Sequence, residues 1–367
     1  MKTADVLIIG GGIIGCAIAV ELARARVKIL VLERDRIGCE ASGEAAGMLA
    51  PQAEGLSPGP FLDLCLKSRT MFGPLQDMLQ AETGIDIEYL RSGIVYPFLT
   101  EEDEAYGTRL FDEQRSRGLN VERWDRKQVL DAEPDLTPAV RGALHLPDDH
   151  QVRNAHMVRA LALAGSRRGV VHLEGSPVTA FLRNRDRVIG VRSLTESYHA
   201  DRVVVAAGAW SGTLGALLGR EIPIRPARGQ LVSLQTEGNL CRHILYGREV
   251  YLVPRASGEV VVGSTVEFVG FAKQTTAAGI EGLLSGARKL VPALGSRPMI
   301  QAWAGFRPWT PDELPYLGAV PGAPGLFIAS GHFRNGILLA PATGALMAEL
   351  LQDAEPSLPL FPFRLDR

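Results

Sequence analysis

The stretch from Val6 to Glu33 constrains the fold more than any other part of this chain. Residues 6–9 are a four-residue apolar run, the pattern of a strand buried on both faces. The run leads into GGGIIG, in which Gly10, Gly12 and Gly15 have the GxGxxG spacing, and residues 13–26 then read as an alanine- and leucine-rich helix. A second strand over residues 27–32 ends at Glu33, eighteen residues beyond Gly15. Each part has a mechanical task. Gly10 permits the tight turn, Gly12 lets a pyrophosphate approach the backbone, and Gly15 lets helix and strand pack closely. The helix start at Ile13 and Ile14 turns free N–H groups and the positive end of its dipole toward the phosphates. Glu33 would accept hydrogen bonds from adenosine ribose hydroxyls. That acid argues against a 2′-phosphorylated nucleotide, although Arg34 beside it leaves such a nucleotide open. The unit predicts a Rossmann-type dinucleotide-binding domain.

The 367 residues are too many for one simple core, so a second domain is expected. A composition of 46% hydrophobic and 22% charged residues is globular, and a net charge of -2 gives no footprint for nucleic acid or an anionic membrane. The opening MKTADVLIIGGG is interrupted by glycines and lacks a clean small-residue cleavage site, so it does not read as a signal peptide. No uninterrupted apolar stretch reaches the ~18 residues of a membrane span. Cys16, Cys39, Cys65 and Cys241 form no CxxC pair and no cluster with histidines. Free thiols, no metal and a cytoplasmic location are the expectation.

A longer cofactor than NAD is indicated by three further segments. CEASGEAAGMLAPQ, residues 39–52, is built from small residues, with Ala41, Ser42, Ala46, Gly47 and Met48 placed to lie against a flat, bulky ligand. DRVVVAAGAWS carries Ala207 and Gly208 at the end of an apolar strand, and GLFIASGHFRNG carries Gly331 at the end of another. With VLIIGGG these make three parallel-type strands whose C-terminal ends bear glycine, the edge at which open α/β sheets bind ligands. A cofactor touched by three distant segments must be long, which points to FAD.

The motifs GGGIIG with Glu33, SGEAAGML, VVVAAGAWS, YLVPR, WAGFRP and GHFRNGILLAPATG recur in this order along nearly the whole chain. In them the sequence resembles the glycine oxidases of the D-amino-acid oxidase superfamily, the type attached to thiamine biosynthesis. GHFRNGILLAPATG is the most specific piece, since the N-terminal motif is shared by many flavoproteins. The resemblance implies non-covalent FAD, oxidation of glycine, sarcosine or small D-amino acids to imines and 2-oxo acids, dioxygen as acceptor with release of hydrogen peroxide, and supply of iminoglycine for thiazole synthesis. It also implies a homotetramer. Two alternatives stay open: a dehydrogenase of the same fold with another electron acceptor, and a flavin-binding subunit of a larger complex.

The expected organisation is a discontinuous FAD-binding domain, residues 1–86, 150–222 and 306–367, with Val178 placed to touch adenine. A second α+β domain, residues 87–149 and 223–305, would be built on an antiparallel sheet. RGQLVSLQ and EVYLVPRASGEVVVGST supply its strands, with a Ser-Gly turn between two of them. Hydride transfer to a flavin needs little acid–base machinery, but it does need an anchor for the substrate carboxylate. Arg307, flanked by Trp303, Phe306 and Trp309, offers a planar bidentate fork, and Tyr251 can donate its hydroxyl to the same group. The resemblance assigns both to substrate, and Met48 to both ligands. The loop Gly331, His332, Phe333, Arg334, Asn335, Gly336, Ile337, Leu338 is expected along the flavin. Its helix-start N–H groups would face the N1–C2=O end, where negative charge gathers on reduction. Arg334 would project toward substrate. No catalytic base is assigned, because the substrate can react as the neutral amine.

Overall fold

The computed structural model describes residues 2–236, 238 and 240–367. Five parallel strands form the centre of the first sheet. Lys2–Ile9 is flanked on one side by Ile29–Leu32 and then Val171–Leu173, and on the other by Ser197–Val205 and then Leu326–Ser330. Tyr316–Ala319 closes one edge antiparallel to Leu326–Ser330, and the hairpin Val178–Asn184/Arg187–Ser193 extends Ser197–Val205. The apolar runs are strands because both faces are covered. Val6, Ile8 and Val31 join one core cluster, while Leu7, Ile9, Leu30 and Leu32 join the cluster on the opposite face. The three glycine-ended strands predicted from sequence are therefore adjacent, and Ile9 is in register with Val205.

The helix after the glycines spans Ile13–Leu22, four residues shorter than its alanine-rich pattern predicts. Beyond Leu22 the bonds tighten to three-residue spacing, with Arg24 N–H to Glu21 and Ala25 N–H to Leu22, which ends the helix. The C-terminal helix Gly336–Leu351 is apolar on nearly every face and accordingly buried against the first helix.

The second sheet has the order Met299–Trp309, Arg225–Gln235, Glu259–Gly263, Tyr251–Pro254, Ile244–Tyr246, Ile94–Phe98, Gly142–Leu146, Glu122–Asp125. All its pairs are antiparallel except Ile244–Tyr246 with Ile94–Phe98. In RGQLVSLQ polar Arg228, Gln230 and Ser233 are interspersed with apolar residues, yet this pattern does not separate core from solvent, because all three are buried. Val232 and Leu234 pack in a core cluster with Leu283 and Ala287 of the helix Ala277–Leu290, while Leu231 faces a cluster containing Ala46 and Ala50. Arg228 and Gln230 are buried polar members of this strand, both bonded to Glu267. The strand Met299–Trp309 runs unbroken through residues 305 and 306. The charged stretch after Leu99 is the helix Glu101–Ser116, opened by a capping box between Thr100 and Asp103.

Candidate active site

A cavity of about 540 Å³ lies where the glycine-bearing strand ends meet the second sheet. Gly10, Gly12, Ile13, Ile14, Glu33 and Arg34 line it from the first unit, and Ala41, Ser42, Ala46, Gly47 and Met48 from the small-residue loop. Val178, Ala207 and Gly208 line it from the middle of the chain, and His332, Phe333, Arg334, Asn335, Gly336 and Ile337 from the C-terminal loop. Gly15, Gly331 and Leu338 do not. Gly15 is the packing glycine beneath Gly10, Gly331 takes φ +82° where the strand turns, and Leu338 is buried in the core beside the first helix.

The cradle is built for close approach by a phosphate chain. Gly10 adopts φ +112°, where a side chain is disfavoured. Ser42 Oγ accepts from Ile13 N at 2.8 Å, and Asn154 Nδ2 pins the loop by donating to the Ser42 and Gly43 carbonyls at 2.7 and 2.8 Å. Two helix N-termini, at Gly12 and at Asn335, open on the cavity; neither N-cap residue caps its own helix, Ser42 takes the Ile13 N–H that the sequence suggested would be free, and neither helix has an acid in its first turn. Glu33 accepts from Gly11 N at 2.8 Å and from Asp35 N at 2.9 Å, one bond per oxygen, so each oxygen keeps acceptor capacity toward the cavity. Arg34 stacks over Trp210 at 3.7 Å and pairs with Glu40 at 3.2 Å. Both contacts hold its side chain on the cavity wall beside Glu33. Arg255, 7% exposed, donates to the carbonyls of Ala46 and Val152 at 2.6 and 3.0 Å and so fixes the loop that carries Met48. These residues fit FAD.

At the other end of the cavity stand Arg307, Tyr251, Arg334 and Met48. Arg307 donates to the Thr265 carbonyl at 3.0 Å and to Ser264 Oγ, both neutral oxygens. Among the described residues it forms no ion pair with a carboxylate. Arg334 differs: its Nε donates to Glu54 at 3.2 Å and its Nη2 to the Tyr246 hydroxyl at 2.7 Å, and Asn335 Nδ2 reaches the other Glu54 oxygen at 3.3 Å. The rings of Tyr246 and Tyr251 stack 6.3 Å apart, and Met48 packs against the same cluster. Burial pushes the Tyr246 hydroxyl well above the usual phenol range, so it stays protonated. His332, 2% exposed, is hydrogen-bonded through Nε2 to Thr343 Oγ1 at 3.1 Å, and burial lowers its pKa to about 3. It is a neutral loop fixture.

Sequence reasoning missed Tyr246, Glu54, Trp210 and Ser264. Tyr246 carried a usable signal, since YGREVY places two tyrosines at the ends of a tight connection and they pair across the hairpin. Glu54 carried none. It is brought in by a long-range contact, with Asp149 accepting from the Gln52 and Ala53 N–H groups at 3.0 and 2.8 Å.

Two buried histidines give a stability prediction. Burial depresses His332 to about 3 and His150 to about 4, from an ordinary 6.5. The unfolded chain then binds more protons than the native one below about 6.5, so this contribution is present above that pH and lost as pH falls toward 3. Melting temperature should drop across this window, and His332→Gln should flatten part of the slope. An unchanged slope in that variant would show that His332 titrates normally.

A glycine-lined dinucleotide cradle joined in one cavity to a cation-bearing pocket defines a flavin-dependent oxidoreductase. Residues 5–350 match the family model of the FAD-dependent oxidoreductases, DAO. The chain belongs to this family, and its cofactor is FAD. It is 39% identical to the bifunctional protein ThiO/ThiG of a Nostoc species over 98% of this chain and 55% of that protein. It therefore spans about half the length of such bifunctional relatives. The glycine oxidase of Geobacillus kaustophilus is 35% identical, with 99% of this chain and 97% of that protein aligned. Its crystal structure superposes with a TM-score of 0.96 over 100% of this chain and 99% of that one. Among the described residues no helix is long and apolar enough to cross a membrane, and no acid, histidine or cysteine group could hold a metal ion.

Proposed function

We propose that the chain oxidises glycine, and with it sarcosine or small D-amino acids, to the imine at the expense of dioxygen. Hydrolysis of the imine completes the balance: glycine, dioxygen and water give glyoxylate, ammonia and hydrogen peroxide. The observation that carries this reading is Arg307, a cavity-lining guanidinium satisfied only by neutral oxygens. A substrate carboxylate supplies the missing charge in bidentate form. Tyr251, whose ring leans over Gly263 beside the Ser264 that holds Arg307, is the second donor, and Tyr246, Tyr251 and Met48 line the same cavity. Bound FAD supplies the two-electron oxidation and the route to oxygen. The residues bind, orient and keep the site dry. The imine is the unit that thiazole synthesis would consume, which the ThiO/ThiG likeness supports.

The test is peroxide release by the purified holoprotein with glycine. Flavin bleaching without peroxide would mean another acceptor, and no response to any small amino acid would end the proposal. With His332 neutral and the Glu54 carboxylate held by Arg334 and Asn335, activity should rise from neutral toward alkaline pH with the substrate amine. His332→Ala should keep turnover within about a hundredfold of wild type. A loss of ~10⁴ or more, beyond ordinary acid–base contributions, would make His332 catalytic.

A further inference from the structure

The substrate anchor does not reach its place unaided. Arg307 lies on Met299–Trp309, the edge strand of the second sheet, yet the oxygens that hold its guanidinium belong to Ser264 and Thr265. Those residues follow Glu259–Gly263, the second strand over. The side chain must therefore cross the intervening strand, Arg225–Gln235, and it does so at Gly229. That glycine is buried, lines the cavity and sits in unbroken register opposite Gly305. A Cβ placed on Gly229 would collide with Arg307 Nη1 and lie 2.6 Å from Cζ and 2.8 Å from Nη2.

Nothing in the backbone asks for glycine there. Gly229 is absent from the residues with positive φ, and no bulge interrupts the ladder at this point. A glycine in a regular strand interior weakens the strand, so its presence marks a close approach. The same device recurs one strand further on. Tyr251 pairs directly with Gly263, and a Cβ on Gly263 would lie 2.5 Å from Tyr251 Cε2 and collide with its hydroxyl. Arginine and tyrosine start on the first and fourth strands and lean inward over glycines on the second and third.

We infer that Gly229 is a positioning residue for substrate recognition: its missing side chain is the groove in which the Arg307 guanidinium crosses the sheet to face the substrate carboxylate. This rests on the reading of Arg307 as the carboxylate anchor. A displaced guanidinium weakens its charge-assisted hydrogen bonds to the carboxylate, and losing one of these costs roughly 10- to 100-fold in affinity.

The measurement is acetate binding to the FAD-loaded protein, followed by perturbation of the flavin absorbance, together with KM and kcat for glycine. Gly229→Ala should raise the acetate Kd and the glycine KM roughly 10- to 100-fold, with FAD affinity unchanged and kcat moved far less. Adding Gly229→Ala to Arg307→Ala should have no further effect on acetate, because there is no guanidinium left to displace. Additive losses in the double variant, or wild-type acetate binding by Gly229→Ala, overturn the inference. If Gly229→Ala alone does not fold, the inference requires the double variant to fold and hold FAD; failure of both variants would mean that the Cβ meets something else. If the wild-type holoprotein binds neither acetate nor glycine, the carboxylate reading itself is wrong, a separate outcome from failure of the glycine's role.

Discussion

Arg307→Ala is expected to lower kcat/KM for glycine by about 30- to several-thousand-fold, most of it in substrate affinity. The range is the ~2–5 kcal/mol lost when one member of a desolvated charge pair is removed. FAD should stay bound. Arg307 is held from the second sheet by Thr265 and Ser264, whereas the phosphate cradle is built from Gly10, Gly12 and Ser42 around the first. Arg334→Ala should fail in a different way. Its guanidinium is matched by Glu54, whose side chain is only 10% exposed, and it braces Tyr246. Removing it leaves Glu54 short of its cation and frees the loop from His332 to Asn335. The flavin spectrum or FAD affinity should therefore change along with substrate binding. Glycine titrations against flavin absorbance and FAD titrations of the apoprotein separate the two cases. Wild-type glycine binding by Arg307→Ala would remove both the anchor and the proposed substrate class.

The cofactor end of the site was legible because its signals are local. Strand, GxGxxG, helix and acid follow one another within Val6 to Glu33, and Gly15 answers to a contact a few residues away, the Gly10 carbonyl, although Gly10 itself faces the distant Ala206. The two later strands could be aligned with the first because the apolar runs at residues 203–205 and 326–329 each lead within a few residues into glycine, the runs being largely buried where the strands enter the sheet centre. The substrate end was legible only in part. Arg307 and Tyr251 stood out as residue types in aromatic or strand settings, but their partners are set by sheet order, which no local pattern encodes. Ser264 and Glu54 are ordinary polar residues until pairings across dozens of positions bring them in. Arg228 and Gln230 mislead for the same reason. Polar residues at alternate positions normally mean a solvated face, whereas here Glu267 and the loop before Ala277–Leu290 cover and satisfy them.

Gly15→Ala should cost both stability and FAD affinity, although Gly15 does not itself line the cavity. Alanine is the better helix former by about 1 kcal/mol, which taken alone would stabilise Ile13–Leu22. The contact opposes this. A Cβ at Gly15 would collide with the Gly10 carbonyl oxygen and lie 3.3 Å from Ile8 Cγ2, and a backbone oxygen cannot swing aside as a side chain can. The helix must withdraw from the strand by about 1 Å to restore ordinary contact. Overpacking of this kind costs roughly 1–3 kcal/mol or more, enough to outweigh the propensity gain. Withdrawal also carries the helix start, with Ile13 N and its Ser42 partner, away from the position that receives the phosphates. Losing one hydrogen bond to a charged group is worth about 1.5–3 kcal/mol, or roughly 10- to 150-fold in FAD dissociation constant. Gly12→Ala is the matched comparison. Its Cβ would meet only Ser42 Oγ, at 3.1 Å, but would stand in the cavity itself. That variant should weaken FAD binding while the apoprotein melts near the wild-type temperature, whereas Gly15→Ala should lower both. If the Gly15→Ala apoprotein melts like wild type and takes up FAD equally well, the helix is not packed on the strand as tightly as the cradle requires.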